Sequence, residues 1–353
     1  MAVVKANAYG HGACEVAGVA LDAGAFMLGV ASLEEGMSLR SRGIGAPVLI
    51  LGYTDPEQAA LLQEDGLTPT VFNWEGARDL AQQACALGCR IPFHFKVDTG
   101  MGRLGPANTR DALLLLKKVS ALSGLKLEGV YTHFAAADEK ERDFTVGQVV
   151  LFHQFLNAAA SQGIHIPLRH AANTAAAIEY PEAALDMVRL GIGIYGYYPS
   201  SAVDRQKVRL QSAFSLKSRI VYLKKVSAGT PVSYGGKYLA PRETLVATVP
   251  LGYGDGLNRL LSNGGVMLVQ GRRVPIAGRV CMDMTMLDVG SLSGVREGDE
   301  VVVYGHQGSE EISIDAVAMQ LGTISYEILC NVSHRVPRLY FPAFNSSNED
   351  LPV

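Results

Sequence analysis

The sequence lacks any uninterrupted apolar run of the roughly 18 residues that a membrane-spanning helix needs. Its amino terminus, MAVVKANAYGHG, lacks the charged lead, the long apolar stretch and the cleavage site of a secretory signal. It also lacks a basic excess, since 31 Lys and Arg residues stand against 34 Asp and Glu residues. A protein that binds nucleic acid or anionic membranes should carry such an excess. We therefore expect a cytoplasmic protein that binds neither.

Closely spaced cysteine pairs are missing as well. The five cysteines are an odd number without a CxxC pair, and they are Cys14, Cys85, Cys89, Cys281 and Cys330. A zinc site needs clustered ligands, which this spacing does not supply, so we expect no metal. We expect the cysteines to be buried, reduced thiols.

What the sequence does contain is typical of a globular protein. Hydrophobic residues make up 48% of the chain and charged residues 18%, which excludes a disordered chain. The 353 residues, divided by roughly 150 for a typical domain, give about two domains.

Residues 1–204 alternate short apolar runs with amphipathic segments. Eight runs begin near residues 2, 25, 46, 67, 91, 127, 166 and 186, and most lack polar alternation, as strands buried on both faces should. This α/β pattern predicts a TIM-like (β/α)8 barrel over residues 1–204. An open doubly wound sheet is the alternative, but it usually has fewer strands and a GxGxxG turn, which AYGHGAC does not supply.

Two of the intervening segments carry signals for the start of a helix. Ser32 is followed three residues later by Glu35, which is the spacing of a capping box. Asp55 precedes Pro56, the order expected for an N-cap and a first helical residue. We therefore expect helices to begin at both places.

The pattern changes after about residue 205. Short apolar runs are then separated by turns marked with Gly and Pro, and helical periodicity returns only near residues 313–322. Residues 205–353 are therefore predicted to form a second, mainly β carboxy-terminal domain.

Lys5 is the first candidate for chemistry. It lies in VVKANA, near the end of the first strand, and a barrel of this type carries its active site at the carboxyl ends of its strands. Apolar neighbours lower the pKa of a lysine toward values useful for a nucleophilic amine. A strand-end lysine that extends into solvent is the commoner case. The segment NAYGHG favours the chemical role, because its tyrosine and loop amides could hold an anion.

The seventh and eighth strands end in RHAANT and VRLGIGIYG, at the place where barrels most often bind phosphate. Thr174 offers a hydroxyl, and Gly191 and Gly193 let backbone N–H groups approach an anion closely. Taken alone, these glycines are better explained as ordinary turn residues. Together with Lys5 they suggest pyridoxal 5′-phosphate (PLP) held as a Schiff base.

A third cluster follows the fifth strand, where KVDTGMGRLG contains Lys96 and Arg103. The arginine could bind a carboxylate bidentately, and a solvated charged turn explains the segment alone equally well. In the β-rich region, SYGGKY contains Tyr234 and GRVCMDM contains Met282 and Asp283. Neither motif is diagnostic by itself.

In combination, seven segments resemble the alanine racemase family: VVKANAYGHG, KVDTGMGRLG, HAANT, VRLGIGIYG, SYGGKY, GYGDG and GRVCMDM. The similarity runs from residue 1 to about residue 340, and the combination is far more specific than any one motif. It implies a PLP-binding barrel followed by a β domain, assembled as a homodimer. It also implies interconversion of L- and D-alanine in the bacterial cytoplasm, supplying D-alanine for cell-wall peptidoglycan.

The resemblance also assigns roles to individual residues. Lys5 matches the lysine that binds PLP, and Tyr234 matches the second acid/base, which reaches into the other subunit. Arg189 matches the arginine that faces the pyridine nitrogen, with His170 behind it. The positions that match the family's phosphate cradle are Tyr9, Thr174, Gly191, Ile192 and Tyr326.

The remaining matches concern the substrate and the supporting residues. Arg103 and the backbone N–H of Met282 match the groups that receive the substrate carboxylate. Lys96 matches a lysine that is carbamylated in some members, where it orients the arginine. The other supporting positions are His133, beside the catalytic tyrosine and the cofactor, Tyr253, of the substrate entryway, and Asp283.

These assignments agree with what racemisation requires. The α-proton must leave from one face and return to the other, which two bases on opposite faces do most directly. A tyrosine has an unperturbed pKa near 10, so a nearby cation such as Arg103, or a polarising histidine, must lower it. Arg189 cannot easily give up a proton, so it keeps the pyridine nitrogen unprotonated and should disfavour transamination.

The sequence departs from the family at its amino terminus. Family members usually have a few dozen residues before VVKANAYGHG, whereas this chain starts almost at Lys5. We expect this difference to affect stability more than site chemistry, because termini fray.

Three other functions stay open. A racemase of broader range that acts outside the cytoplasm should carry an export signal and often disulfides. A PLP-dependent decarboxylase usually has an acidic residue where VRLGIG has Arg189. A PLP carrier resembles the barrel alone and would not need a β domain with SYGGKY.

Overall fold

A computed structural model describes residues 1–341 of the chain. The chain divides into two compact units, and the first consists of residues 1–215 together with residues 314–330. The second consists of residues 216–313 and the segment that follows residue 330. The boundary expected between residues 204 and 205 stays a prediction, and the last part of the expected second domain, 342–353, lies outside the described residues.

The first unit contains the predicted barrel of short parallel strands. They are β1 (Ala2–Val3), β2 (Leu28–Val30), β3 (Val48–Ile50), β4 (Leu67–Thr68), β5 (Thr70–Val71), β6 (Ile91–Lys96), β7 (Leu125–Tyr131) and β8 (Leu168–His170). Strands β1 to β4 pair in order, and so do β5 to β8. Seven of the eight apolar runs of the sequence therefore form strands at the expected places.

Strands β4 and β5 are two halves of one barrel position, separated by Pro69. A proline has no N–H to donate to a neighbouring strand, so the ladder is interrupted there. The first half pairs with β3, through Leu67 opposite Val48, and the second half pairs with β6, through Thr70 opposite His94.

The eighth apolar run closes the barrel without forming a regular strand. The N–H of Arg189 donates to the carbonyl of Ala172 at 2.9 Å on one side. On the other side, the N–H of Val3 donates to the carbonyl of Leu190 at 2.8 Å, and Ala2 forms a parallel bridge with Leu190. The segment therefore lies between β1 and the residues that follow β8, and it closes the barrel. This confirms the predicted (β/α)8 architecture.

Nine right-handed α-helices lie in the first unit among the described residues, and they include helices at the places predicted from Ser32, from Asp55 and from residues 313–322. They are Ala13–Asp22, Leu33–Ser41, Ala59–Glu64, Trp74–Ala86, Thr109–Ser120, Asp143–Ser161, Thr174–Glu179, Ile314–Leu321 and Ser325–Cys330. Asp55 caps a 3-10 turn, Pro56–Gln58, by accepting the N–H of Glu57 at 3.0 Å. Ser32 caps Leu33–Ser41 by accepting the N–H of Glu35 at 3.4 Å. The second half of the expected capping box does not form in the usual way, because the Glu35 carboxylate accepts from other backbone groups.

The second unit is mainly β, as the sequence predicts. Its strands are β9 (Leu216–Arg219), β10 (Tyr222–Val226), β11 (Pro231–Val232), β12 (Tyr238–Leu239), β13 (Thr244–Val249), β14 (Val266–Val269), β15 (Arg272–Pro275), β16 (Thr285–Asp288), β17 (Glu300–Gln307) and β18 (Glu310–Ile312). They form antiparallel sheets in the orders β10-β13-β16 and β15-β14-β17-β18, with β9 paired to β17 and β11 to β12. The core includes Val226, Val232, Ala240, Val246 and Ala277.

The structure corrects the expectation about the cysteines. None of the five is buried: Cys85 and Cys330 are exposed, and the other three are partly buried. Cys85 lies near the end of the helix Trp74–Ala86, where its thiol is 3.3 Å from the hydroxyl of Ser123. Among residues 1–341, no helix is both long enough and apolar enough to cross a membrane.

Candidate active site

A cavity of about 550 Å3 lies at the carboxyl ends of the barrel strands, where barrels of this type carry their active sites. All of its lining residues belong to the first unit. The predicted site residues that line it are Lys5, Tyr9, Lys96, Arg103, His133, Thr174, Arg189, Gly191, Ile192 and Tyr326.

Lys5 enters the cavity from an unusual piece of backbone. The four residues after it, Ala6 to Tyr9, have φ between 51° and 53°, so they form one turn of left-handed helix. None of them is glycine, and this conformation costs such residues roughly 1–2 kcal/mol each. Hydrogen bonds maintain the turn, including those from the N–H of Ala8 to the carbonyl of Val4 at 2.8 Å and from Gly10 to Ala6 at 3.0 Å.

The surroundings of Lys5 favour its neutral form. Burial lowers the pKa of Lys5, and the positive charge of Arg103 lowers it further. Glu35 and Cys330 oppose this shift only in part, and Arg189 adds to it. A neutral amine is the form that attacks a carbonyl group or takes a proton.

A cradle of hydroxyl and amide groups lies elsewhere in the same cavity. The Thr174 hydroxyl oxygen accepts from the N–H of Gly191 at 3.0 Å and of Gly193 at 3.4 Å. A Cβ on Gly191 would lie 2.8 Å from the Tyr9 hydroxyl, so only glycine leaves this space open. Burial raises the pKa of Tyr9 to about 12, and the ring of Tyr326 lies 5.8 Å from the Tyr9 ring. These tyrosines therefore stay protonated, as donors to an anion must.

Arg189 is a buried cation of the site. Its guanidinium donates to the carbonyl oxygens of Thr132 and Ala171, both at 2.7 Å. Its Nη1 also donates to Nδ1 of His170 at 3.0 Å, and its Nη2 lies 3.1 Å from Nδ1 of His133. Burial lowers its pKa to about 10, so it keeps its charge at neutral pH.

The arginine fixes the tautomers of a chain of buried histidines. A guanidinium can only donate, so Nδ1 of His170 accepts and its proton resides on Nε2. That Nε2 lies 2.8 Å from Nδ1 of His94, which must then accept. The proton of His94 is consequently on Nε2, which has no hydrogen-bond partner among the described residues. Burial lowers the pKa of both histidines, to about 4 for His94, so the chain is neutral.

Lys96 and Arg103 lie on another wall of the cavity. Burial lowers the pKa of Lys96 to about 7, although the nearby Asp98 opposes the shift. The Lys96 ammonium donates to the carbonyl of Val97 at 2.6 Å and lies 5.6 Å from the centre of the Tyr131 ring. The Asp98 carboxylate accepts the N–H of Arg103 at 3.0 Å, which fixes the start of the arginine side chain.

The other predicted residues belong to the second unit. Tyr234 is 68% exposed, and the residue before it, Ser233, has a φ of 66° and donates its hydroxyl to the carbonyl of Arg279 at 2.6 Å. Tyr253 and Met282 are also exposed. They are neighbours, because the N–H of the residue after Tyr253 donates to the Met282 carbonyl at 2.8 Å.

Asp283 forms an ion pair in this second group. Its carboxylate lies 2.8 Å from the Arg335 guanidinium, which also contacts Asp255 at 2.8 Å. Arg335 therefore joins the segment that contains Asp283 to the turn that contains Asp255.

Sequence reasoning missed several residues of the site. Tyr131 stacks on His170 with ring centres 4.8 Å apart, and its position as the last residue of β7 could have identified it. Asp138 also lines the cavity, and burial raises the pKa of its carboxyl. Glu35 is visible in the sequence only as a capping signal, and nothing local indicates that its carboxylate reaches the turn after Lys5.

Comparison with known proteins agrees with this architecture. The family described as "Alanine racemase, N-terminal domain" matches residues 1–199, and "Alanine racemase, C-terminal domain" matches residues 213–340. The chain is 50% identical over 340 residues to an alanine racemase of Desulforamulus reducens, covering 96% of this chain and 91% of that protein.

Solved structures give the same result. An alanine racemase of Clostridium difficile 630 superposes with a TM-score of 0.90 at 37% identity, over 95% of this chain and 87% of that one. The alanine racemase of Bacillus anthracis with bound L-Ala-P gives a TM-score of 0.89 at 39% identity, over 95% and 86% of the two chains. The chain belongs to the alanine racemase family.

Proposed function

We propose that this protein is a PLP-dependent alanine racemase that interconverts L- and D-alanine. The observation that carries the proposal is the shared cavity, in which a lysine amine, a cradle of hydroxyl and amide groups and a buried guanidinium lie together. Its location in the bacterial cytoplasm and its supply of D-alanine to peptidoglycan stay predictions from the resemblance.

The residues of the cavity fit PLP. Lys5 offers the amine for its aldehyde carbon, and Arg189 offers a permanent donor to its pyridine nitrogen. The Thr174 hydroxyl, the backbone of Gly191 and the Tyr9 hydroxyl would hold the phosphate, and the other groups at that end are Ile192 and Tyr326. When bound, PLP draws electron density from the substrate and so acidifies its α-proton.

The proposed proton transfers use one base from each of two subunits. The Lys5 amine, whose pKa burial lowers, takes or returns the proton on one face of the substrate. Tyr234 of a second copy would serve the other face, and its 68% exposure leaves the phenol available for that role. This assignment requires a homodimer. Arg103 and His133, at the cavity, supply the cation and the supporting histidine that a tyrosine base needs.

Substrate binding is assigned to residues around these bases. Arg103 and the backbone N–H of Met282 would receive the carboxylate of alanine. Lys96, with a pKa of about 7, is about half in its neutral form at pH 7, and the neutral amine can react with carbon dioxide to give a carbamate. Tyr253 and Asp283 would support the substrate entryway.

Arg189 separates this proposal from a decarboxylase of the same architecture. A carboxylate beside the pyridine nitrogen would favour its protonation, whereas a guanidinium can only donate to it. The hydrogen bonds that Arg189 donates to the carbonyls of Thr132 and Ala171 and to His170 keep the guanidinium in place.

The test is proton exchange in D2O, followed by NMR, with purified protein, PLP and L-alanine. We expect loss of the α-proton signal together with a mixture of both enantiomers by chiral analysis. Exchange with retention of the L-form would contradict two-face transfer. Cofactor binding without any exchange would indicate a carrier, and light scattering would then show whether the protein had failed to dimerise.

A further inference from the structure

We propose that Glu35 is a positioning residue for Lys5. Its carboxylate bridges the backbone N–H groups of Ala6 and Ala31 and thereby holds the left-handed turn that directs the lysine side chain into the cavity. The inference rests on the proposed function of Lys5 and adds a residue outside the set assigned above.

The left-handed turn needs support from outside itself. Four consecutive residues that are not glycine adopt a conformation that L-residues rarely adopt as a run. Such backbone persists only where the surrounding structure over-determines it. Within the turn, the N–H groups of Ala8 and Gly10 find acceptors in the carbonyls of Val4 and Ala6. The first N–H of the turn, that of Ala6, donates to Glu35 instead.

The two oxygens of Glu35 connect two loops of the barrel. Oε1 accepts the N–H of Ala6 at 2.7 Å, and Oε2 accepts the N–H of Ala31 at 2.7 Å. Ala6 follows β1 and Ala31 follows β2, so the carboxylate ties the start of the turn to the end of the neighbouring strand. Both bonds are short and charge-assisted, a class roughly twice as strong as bonds between neutral groups.

The position of Glu35 is itself fixed by the helix that carries it. Glu35 lies in the first turn of Leu33–Ser41, and its own N–H donates to the capping hydroxyl of Ser32. The neighbouring Glu34 has the same charge in the same helical turn, and its exposed carboxylate accepts a hydrogen bond from the hydroxyl of Ser32, the N-cap of that helix. Glu34 therefore provides a matched control for charge and for helix stability.

The experiment compares Glu35→Gln and Glu35→Ala with Glu34→Gln and Glu34→Ala in the full chain. Amide hydrogen exchange of the cofactor-free protein, read by mass spectrometry on peptides covering residues 4–13, reports the turn directly. Loss of a hydrogen bond to a charged group should speed exchange there roughly 10- to 100-fold in Glu35→Ala. The effect should be smaller in Glu35→Gln, which keeps one acceptor oxygen. The Glu34 variants should match the wild-type protein.

The second readout is attachment of PLP, measured as the rate at which a borohydride-reducible adduct forms at Lys5. We expect attachment to slow at least roughly ten-fold in Glu35→Ala, with kcat reduced more than KM is raised. A role limited to capping the helix would instead give the same exchange in Glu34 and Glu35 variants and leave the attachment rate unchanged.

Unchanged exchange over residues 4–13 in both Glu35 variants would overturn the proposal. If Glu35→Ala loses its fold, the nearly isosteric Glu35→Gln decides by the same two readouts. A wild-type adduct on an amine other than Lys5 would refute the proposed function, and the exchange data would still show whether Glu35 holds the turn.

Discussion

In the first unit, the titratable side chains of Lys96, Arg189 and His94 are buried, whereas the site residues assigned to the second unit are exposed. Burial shifts the pKa of Lys96 to about 7, of Arg189 to about 10 and of His94 to about 4. In the second unit, 68% of Tyr234 and 53% of Met282 are accessible. Groups whose protonation must be adjusted thus lie inside the barrel, and groups proposed to act on another subunit lie on a surface.

This difference has a physical basis. A low dielectric changes the relative stability of charged and neutral forms, so a barrel interior can set the protonation of an amine or an imidazole. The Tyr234 phenol, by contrast, lies on a surface of its own chain, and in the proposed homodimer its surroundings would be those of the other subunit.

The largest expected effect comes from removing the Lys5 amine from the cavity of the first unit. Lys5→Ala should lose the borohydride-reducible adduct with PLP and lower racemisation by more than about 10⁴-fold, beyond the contribution of one acid/base, because the attachment point is lost as well. Mass spectrometry after reduction measures the adduct. Lys96→Met is the control, since it removes the other cavity lysine and should keep the adduct. A persistent adduct in Lys5→Ala would assign the cofactor to another amine.

The next effect concerns the exposed phenol of the second unit. Tyr234→Phe should leave the absorbance of the bound cofactor intact and lower racemisation roughly 10²- to 10⁴-fold, because a base is lost without a bond to the cofactor. Chiral analysis of product against time measures the rate. Tyr222→Phe, also exposed and in the same unit, is the control and should be fully active. Near-normal turnover by Tyr234→Phe would contradict the proposal that the exposed phenol of the second unit is the second base.

A smaller expected effect is the pH dependence of protein stability that follows from the burial of His94 in the first unit. The pKa of His94 is about 4 in the folded protein and about 6.5 when unfolded, so the unfolded chain binds more protons between these values. The contribution of His94 to the free energy of unfolding is fully present above pH 6.5. It is lost as the pH falls toward 4, and the loss for this one group is about 3 kcal/mol.

Urea unfolding of the cofactor-free protein at several pH values measures this dependence. His94→Phe should flatten it by about one proton, because the buried group that takes up the proton on unfolding is then missing. An identical pH dependence in wild type and His94→Phe would show that this histidine does not titrate as its burial requires.

The smallest effect concerns the cradle. Thr174→Ala leaves the buried N–H of Gly191 without its acceptor, which should weaken PLP binding roughly ten-fold, while Thr174→Ser should bind nearly as wild type. Equilibrium titration with PLP measures the affinity. Thr285→Ala removes a comparable buried hydroxyl bond in the second unit and should lower stability without changing PLP affinity. If Thr174→Ala and Thr285→Ala lost the same affinity for PLP, the loss would reflect lower stability of the whole protein and not the cradle.

Much of the fold was accessible from local pattern. The apolar runs predict the barrel strands, and Ser32 and Asp55 mark real helix starts, because strand burial and capping depend on neighbouring residues. The closing segment around Leu190 is less regular than its apolar run suggests, and it pairs with Ala172 on one side and with β1, at the start of the chain, on the other. The helices of 314–330 follow the β-rich region in sequence, yet they pack with the first unit.

The sequence by itself determined the motifs, the order of the elements and the set of residue types that PLP chemistry needs. Only the tertiary structure decided how those residues behave. The left-handed turn after Lys5, the reach of Glu35 to Ala6, and the tautomers that Arg189 imposes on His170 and His94 all depend on contacts between distant parts of the chain. Hydrogen-bond geometry and burial arise when the barrel closes, and no pattern of adjacent residues encodes them separately.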